Sequence, residues 1–372
     1  MFLHVAVVGP FADNIFQMFE AAAPGRNVCV GFSRDDSPLP QLAAARVSSV
    51  HEVLEIIQSE GPWDGVTLNG LSDSEMVELA AALPPDVKCA WYVWGYESYS
   101  RALRLRRRLL KPLTRAAVHV PSPSIKAAIG RRARLLHRDV HDWLHPPFDR
   151  FDLCVTQLPD EYELLRSAGL FRRTRYAWGA VGVLEDYVDA AAPIELPGRD
   201  IQVGNSASPV LNHLDALRVI SEISLCGRRV IVPLSYGDHR YRDSVASYGK
   251  SMLGSQFLPV VEFLPLPEYS ALMEPCGIVV MNQMRQHALG NIINAIWRGA
   301  VVYVNDTPTY RTFHRLGVDM RLFDVAFIRD ADAGFPSLSK EQIARHREIL
   351  RAHIGRDRVI NETRSLLSEL AR

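Results

Sequence analysis

Two stretches of this chain read as the same folding unit: an apolar, β-branched run, a turn of small residues, then a segment with the 3.6-residue period of a helix. The first runs from Leu3 to Gly9 and on through Phe11 to Ala23, with Pro10 closing the strand. The second is Asp200 to Gly204, where Ile201 and Val203 alternate, followed by Gly204-Asn205-Ser206 and a helix from about Asn212 to Leu225. A strand that feeds a helix through a tight turn opens a parallel sheet, because parallel neighbours need a crossover between them. Two such openings imply two sheets.

The remaining segments extend both units. Val28–Phe32, Gly65–Asn69, Lys88–Trp94 and Phe151–Thr156 have strand character, and Val50–Glu60, Asp73–Leu83 and Asp160–Ala168 have helical period. After Asp200 come the strands Arg229–Leu234, Val260–Phe263, Gly277–Met281 and Ala300–Asn305. The helices Tyr241–Met252, Pro267–Glu274 and Gly290–Arg298 alternate with them, and Lys340–His353 and Asn361–Ala371 close the chain. Such alternation predicts an α/β protein with doubly wound parallel sheets. Between the halves, VDAAAPIELPGRD is poor in large apolar residues and reads as a linker. The expected organisation is a domain over 1–187, a linker over 188–199 and a domain over 200–372, with the last helix able to cross back.

The 372 residues are 48% hydrophobic, enough apolar material for two cores. Lys and Arg total 42 against 42 Asp and Glu, so net charge gives no case for the cationic footprint of nucleic-acid binding. Cys29, Cys89, Cys154, Cys226 and Cys276 are scattered with no CxxC spacing, which suits reduced thiols in a cytosolic protein. The first residues lack a basic segment followed by a long apolar one, and no window reaches the roughly 18 apolar residues of a spanning helix. A cytoplasmic location is the expectation.

Four segments carry candidate chemistry. The loop Gly204-Asn205-Ser206 joins a strand to a helix, where backbone N–H groups and the helix dipole favour a phosphate. It is neither a Walker loop nor GxGxxG, and an ordinary βα turn has the same composition. The segment Met281 to Asn291 also joins a strand to a helix; Arg285 can fork onto a diphosphate, and Gly290 and Asn291 stand at the helix start. A solvated arginine is the alternative. In Trp91-Tyr92-Val93-Trp94-Gly95-Tyr96-Glu97, the carboxylate follows a strand end among rings that raise its pKa towards general-base range; core packing beside a loop carboxylate is the bland counterpart. The stretch RALRLRRRLLKPLTRAA puts Arg104, Arg108, Lys111 and Arg115 on one helical face, with Pro112 ending or kinking the helix. Such a face from Arg101 to Arg115 suits an anionic membrane surface, or simply water. His137, His141 and His145 share a four-residue spacing, but Pro146-Pro147 follow and no nearby Cys or acidic triplet completes a site, so no metal is expected.

Taken together these motifs resemble the bacterial 4-acetamido-4,6-dideoxygalactose (Fuc4NAc) transferases of glycosyltransferase family 56. That family's W-x-x-W-G-x-D reads here Trp91-Tyr92-Val93-Trp94-Gly95-Tyr96-Glu97, with glutamate for aspartate. Its V-G-N-S is Val203-Gly204-Asn205-Ser206, with His213, Ala216 and Leu217 agreeing in the next helix. Its V-V-P strand appears as Ile231-Val232-Pro233 with Tyr236 behind it, and its R-Q-x-x-x-G as Arg285-Gln286 and Gly290. Where the family has His-Gly, this chain has Asn69-Gly70, so a histidine role is not carried over.

The resemblance implies a GT-B fold, two Rossmann-like domains facing a cleft, with a nucleotide-sugar donor in the second and an acceptor in the first. It implies transfer of a deoxyamino sugar from a dTDP-sugar to a lipid-linked saccharide in surface polysaccharide synthesis, with no cofactor or metal, at the inner face of the cytoplasmic membrane. Glu97 and Arg285 are the expected catalytic residues. Gly204, Asn205, Ser206, Tyr236, Arg285, Gln286, Gly290 and Asn291 would bind the donor, and Asn69, Gly70 and Trp94 the acceptor. Another nucleotide-sugar or acceptor, a nucleotide-sugar epimerase and a non-catalytic nucleotide-sugar-binding protein are the alternatives.

Overall fold

The computed structural model of the chain describes residues 1–9, 11–118, 134, 136, 137, 141 and 148–372. Pro10, His145 and Pro146-Pro147 lie outside the described residues.

The first half runs β1 (Phe2–Val7), α1 (Ala12–Ala22), β2 (Asn27–Phe32), β3 (Ala43–Val47), α2 (Val50–Ser59), β4 (Gly65–Asn69), α3 (Asp73–Ala82) and β5 (Cys89–Tyr92). Short helices α4 (Tyr96–Tyr99), α5 (Leu103–Arg106) and α6 (Pro112–Val118) follow, then β6 (Leu153–Val155), α7 (Pro159–Ser167) and β7 (Arg175–Ala177). The second half runs β8 (Asp200–Val203), α8 (His213–Ile220), β9 (Val230–Pro233), α9 (His239–Leu253), β10 (Phe257–Val260), α10 (Leu266–Met273), β11 (Cys276–Met281), α11 (Leu289–Trp297) and β12 (Val301–Val304). It continues through α12 (Pro308–Leu316), β13 (Met320–Leu322), α13 (Phe323–Asp332), α14 (Lys340–Ile354) and α15 (Arg356–Leu370).

The strands form a seven-stranded sheet ordered β3-β2-β1-β4-β5-β6-β7 and a six-stranded one ordered β10-β9-β8-β11-β12-β13. All pairs are parallel. Parallel strands covered on both faces read as continuous apolar runs, and β11, CGIVVM, is buried at every position. Ile201, Val203, Val232, Val280 and Val301 pack in one cluster with Leu217 and Ile220 of α8 and Phe327 of α13. In each sheet the winding reverses beside the opening strand, between β1 and β4 and between β8 and β11. The loops leaving those neighbouring strands diverge, which opens a crevice at their C-terminal ends.

The contacts divide the chain into two units, Met1–Arg106 with Lys126–Asp186 and Ala352–Arg372, and Arg107–Ile125 with Tyr187–Arg351. The segment read as a linker is tied into the second unit. Trp297 Nε1 donates to Asp189 O at 3.1 Å, and Arg347, stacked 4.6 Å over Trp297, donates to Ala192 O and Pro193 O. Helix α15 returns to the first unit, where Arg364 Nε donates to Ala22 O of α1 at 3.2 Å. Gly65 of β4 leaves room for it, since a Cβ there would come within 2.9 Å of Leu370 Cβ.

Several elements differ from the expectation. Strands β3, β7 and β13 and helices α12 and α13 were not predicted. β3 is AAARV, weak in strand propensity, and is held by pairing with β2. β10 lies earlier than Val260–Phe263 because Pro259 is tolerated on an edge strand, and Phe263 is instead 80% exposed. The basic stretch is not one helix: α5 stops at Arg106 and Pro112 begins α6, as the first helical position has no N–H bond for proline to lose.

Leu366 of α15 is 2% exposed in the first unit. Leu366→Ala should lower stability by about 2–4 kcal/mol through lost burial and an unfilled cavity. Urea unfolding followed by fluorescence checks this, and an unchanged midpoint would mean that α15 carries no load.

Candidate active site

The crevice of the second sheet is built from two loops. After β8 the chain turns at Gly204, with φ 66°, and a Cβ there would overlap the His213 ring. Glycine is therefore required twice, for the left-handed backbone and for the imidazole beneath it. The Gly204 N–H is bonded to Val280 O and the Ala207 N–H to Tyr236 O, so Asn205 and Ser206 carry the remaining loop amides. The expected helix does not start here. A 3₁₀ turn, Pro209–Leu211, and a left-handed Asn212 intervene before α8, so the loop holds amides but not that helix's N-terminus. Asn205 Nδ2 donates to the Tyr236 hydroxyl at 2.9 Å, which brings Asn205, Ser206 and Tyr236 together.

After β11 the loop Asn282–Ala288 leads into α11. Arg285 is 6% exposed and its Nη1 donates to Gln286 O at 2.7 Å, so it is not the solvated arginine of the alternative reading. Ala288, left-handed with φ 54°, caps α11 without a side-chain bond. The first-turn amides of this nine-residue helix and the buried guanidinium together form positive potential. Gly290 has a packing reason of its own, because a Cβ would lie 2.7 Å from the Tyr187 ring. Asn291 is half-buried in the first turn. Burial holds His213 and His287 at about 3, with Arg285 and then His213 adding to the effect on His287. His213 enters the sequence reading only through the resemblance and His287 not as a candidate; polar residues directly after an all-apolar strand are the available signal.

Asn205 Oδ1, both His213 ring nitrogens, Gln283 Oε1 and Gln286 Oε1 are buried with no partner within the protein. Most buried polar groups in folded proteins are paired, and leaving one unpaired costs about 1–3 kcal/mol. Their gathering on the two loops of one crevice marks a polar ligand site.

The first sheet repeats the arrangement. A cavity of about 320 Å³ opens where β1 and β4 end, lined by Val7, Phe32, Ser33, Arg34, Gly70 and Tyr96. Gly70, φ 73°, faces Trp94 at 3.4 Å and the Tyr96 hydroxyl at 3.6 Å, measured from a built Cβ. Asn69 lies at the end of β4, its Nδ2 bonded to Val5 O and Thr67 Oγ1. Asn69 Oδ1, Trp94 Nε1 and Glu97 Oε2 are buried and unpaired. The cavity's Arg34, paired with Glu75 at 2.5 Å, was not anticipated.

Glu97 is 1% exposed rather than standing in solvent past the strand. Its Oε1 accepts from Trp91 Nε1 at 3.1 Å and from the Trp94 N–H at 2.7 Å, closing the turn into α4. Burial pushes its carboxyl above the ordinary range, against the pull of these donors. Of the basic stretch, Arg101 faces Asp73 at 3.7 Å and Lys111 is bonded into the second unit, while Arg104, Arg107, Arg108 and Arg115 are exposed. Among the described residues no three His, Cys, Asp or Glu gather as metal ligands, and no helix is long and apolar enough to cross a membrane. The described cysteines are free thiols.

Comparison with known proteins bears on the second half and on the fold. Residues 188–349 match the family described as 4-alpha-L-fucosyltransferase glycosyl transferase group 56. This region is similar to glycosyltransferase group 56. The match takes in the loops 204–208 and 282–288, and the chain is a glycosyltransferase acting with a nucleotide-sugar donor. The turn Trp91–Glu97 lies outside the group 56 match. Among solved structures, sucrose-phosphate synthase from Thermosynechococcus elongatus is similar with a TM-score of 0.62 at 13% identity, covering 100% of this chain and 99% of that one. Anabaena HepE in complex with UDP and glucose gives 0.62 at 12%, covering 99% of each. The UDP-forming α,α-trehalose-phosphate synthase from Burkholderia xenovorans, in complex with glucose-6-phosphate, gives 0.57 at 11%, covering 100% of each. These likenesses show the fold, GT-B, with two parallel-sheet α/β units.

Folded His4, His213 and His287 are all held at about 3, below the 6.5 of an open chain. The unfolded chain therefore takes up protons first. Their contribution is full above pH 6.5 and falls as pH drops towards 3, by about 1.4 kcal/mol per pH unit for each. Urea midpoints should be lower at pH 5 than at pH 7.5; equal midpoints would show that these imidazoles are not kept neutral.

Proposed function

We propose that this enzyme transfers a Fuc4NAc-like deoxyamino sugar from a dTDP-sugar to a hydroxyl of a lipid-linked saccharide, in bacterial surface polysaccharide synthesis. The observation that carries the reading is the cluster of unpaired buried polar atoms on loops 204–208 and 282–288, beside Arg285 and the start of α11. That chemistry suits a diphosphate bearing polar sugar and base groups.

The donor would lie at the second sheet's crevice. The amides of Asn205 and Ser206 and the guanidinium of Arg285 take the diphosphate, with Gln286, Gly290 and Asn291 at the helix start. Tyr236, 54% exposed, offers a ring to the base or sugar. The saccharide acceptor would enter the cavity beside Asn69, Gly70 and Trp94. In the transfer the acceptor oxygen forms a bond to the anomeric carbon as the bond from that carbon to the diphosphate oxygen breaks. The leaving oxygen keeps the electron pair, and Arg285 with the α11 amides stabilises its charge, a role that metal ions fill in other transferases. We assign the acceptor's proton to Glu97, whose Oε2 is the oxygen left without a partner. The acceptor hydroxyl must reach this buried atom beside Trp94, and desolvation there raises the affinity of the carboxylate for a proton. Inner-face membrane contact falls to the exposed Arg104, Arg107, Arg108 and Arg115, which suit lipid phosphates.

Glu97→Gln separates base from cap, because a glutamine Oε1 can still accept from Trp91 and Trp94. Expected is a loss of transfer of about 100-fold or more with dTDP binding kept, whereas retained activity would reduce Glu97 to a capping role. Arg285→Ala should lose both transfer and dTDP affinity. Incubation with dTDP-, UDP- and GDP-sugars, with and without a bacterial membrane-lipid extract, tests the reaction itself. Lipid-dependent release of dTDP is the expected result; conversion of the sugar without lipid would mark an epimerase, and binding without turnover a sensor.

A further inference from the structure

Lys111 belongs by sequence to the basic stretch, but its side chain is spent inside the second unit. Its Nζ donates to Asn282 Oδ1 at 2.8 Å, to Asn305 Oδ1 at 2.9 Å and to the Asp324 carboxylate at 2.8 and 3.0 Å. An ammonium has three protons, and three residues take them. The backbone around it is fastened as well. The Lys111 N–H donates to Asn212 Oδ1 at 2.8 Å, and Asn212 Nδ2 returns to Leu109 O at 3.0 Å. The Leu113 and Thr114 amides, at the start of α6, are capped by the two oxygens of Asp215 at 3.0 and 2.9 Å.

The two asparagines on Lys111 stand directly after β11 and β12, and they pass its influence on. With Oδ1 turned to the cation, Asn282 Nδ2 faces Asn212 O at 3.0 Å. Asn305 Nδ2 likewise reaches Asn282 Oδ1 at 3.0 Å and Gln283 O at 3.1 Å. The bond to Gln283 O pins the base of the loop two residues before Arg285. An amide can be flipped at little cost in shape, and the positive charge is what selects this orientation. Asp324, with its side chain 61% exposed, adds little, because exposed ion pairs are worth about 0–1 kcal/mol.

We propose that Lys111 is a positioning residue for the donor loop: through Asn282 and Asn305 it holds Asn282–Ala288 in the shape that presents Arg285 and the start of α11 to the nucleotide diphosphate. The proposal rests on the donor site described above. It assigns to a residue outside the group 56 match the ordering of a loop inside it.

The test uses the full chain and two readouts. Hydrogen exchange in the ligand-free protein reports loop order, and calorimetry with dTDP reports the site. In Lys111→Met, amides of 282–288 should exchange about tenfold faster or more while those of β1–β7 keep their rates, and the dTDP Kd should rise about tenfold, as for one or two lost hydrogen bonds. Asn305→Asp is isosteric, keeps the contact to Lys111 and loses the donor to both Asn282 Oδ1 and Gln283 O, so it should loosen the same amides even if Lys111→Met fails to fold. Asp215→Asn, which weakens the cap on α6, should change exchange over 113–116 and leave dTDP affinity within about threefold. Wild-type exchange over 282–288 in Asn305→Asp, or wild-type dTDP affinity in a folded Lys111→Met, would overturn the proposal. Faster exchange in both variants, with no binding of dTDP, UDP or GDP by the wild-type protein, would uphold the loop-ordering role and instead reject the donor-site reading.

Discussion

Parallel strand pairing is the constraint on which the rest of this protein depends. Every crossover returns the chain to the same side, so each sheet collects all its strand C-termini along one edge. With the opening strand in the interior, as β1 and β8 are, the winding must reverse beside it. The two loops at that reversal cannot pack on each other as loops elsewhere on the edge can. Sequence variation there alters a crevice rather than a core, and the strands beneath, buried throughout β8's end, β11 and β12, hold the crevice walls in place.

The loops are costly in ways a purely structural turn would avoid. Gly204 and Ala288 both adopt left-handed backbone, and alanine gains nothing from it. His213 is sealed without a partner for either nitrogen, and the guanidinium of Arg285 is almost wholly out of solvent. Against these stand the fully apolar strands and the network joining Asn212, Asn282 and Asn305, which satisfies the backbone where the loops leave the sheet. The core supplies the stability, and the crevice gives up part of it to buried polar atoms left without a partner in the protein.

The sequence was legible where burial is uniform. Runs such as Gly65–Asn69 and Cys276–Met281 announce strands because both faces are covered, and the switch-point loops follow as the breaks after them. Legibility failed at the edges. β7 and β13 are three residues long and β3 is AAARV, so all three draw their strand character from a neighbour rather than from their own residues. The Val-Gly-Asn-Ser loop was located correctly, but the inserted 3₁₀ turn depends on Asn212 bonding to residues more than a hundred positions earlier, which no local pattern records. The same holds for Lys111: charge periodicity placed it on a cationic helical face, whereas the oxygens of three distant residues decide where it goes. Glu97 was found as a carboxylate among rings, yet its capping of the Trp94 turn is a matter of geometry that spacing does not reveal.

The two units also exchange chain. Residues from Arg107 onward supply a strap to the second unit before most of that unit has been made, and residues from Ala352 complete the first unit after the second has been made. During synthesis, then, the apolar flank of α1 that will receive α15 waits, uncovered, through the translation of the entire second unit. Neither half is a contiguous gene fragment. A cut near residue 187 would yield one piece without its closing helix and another without its strap, so recombination at that apparent boundary could not shuffle either unit intact.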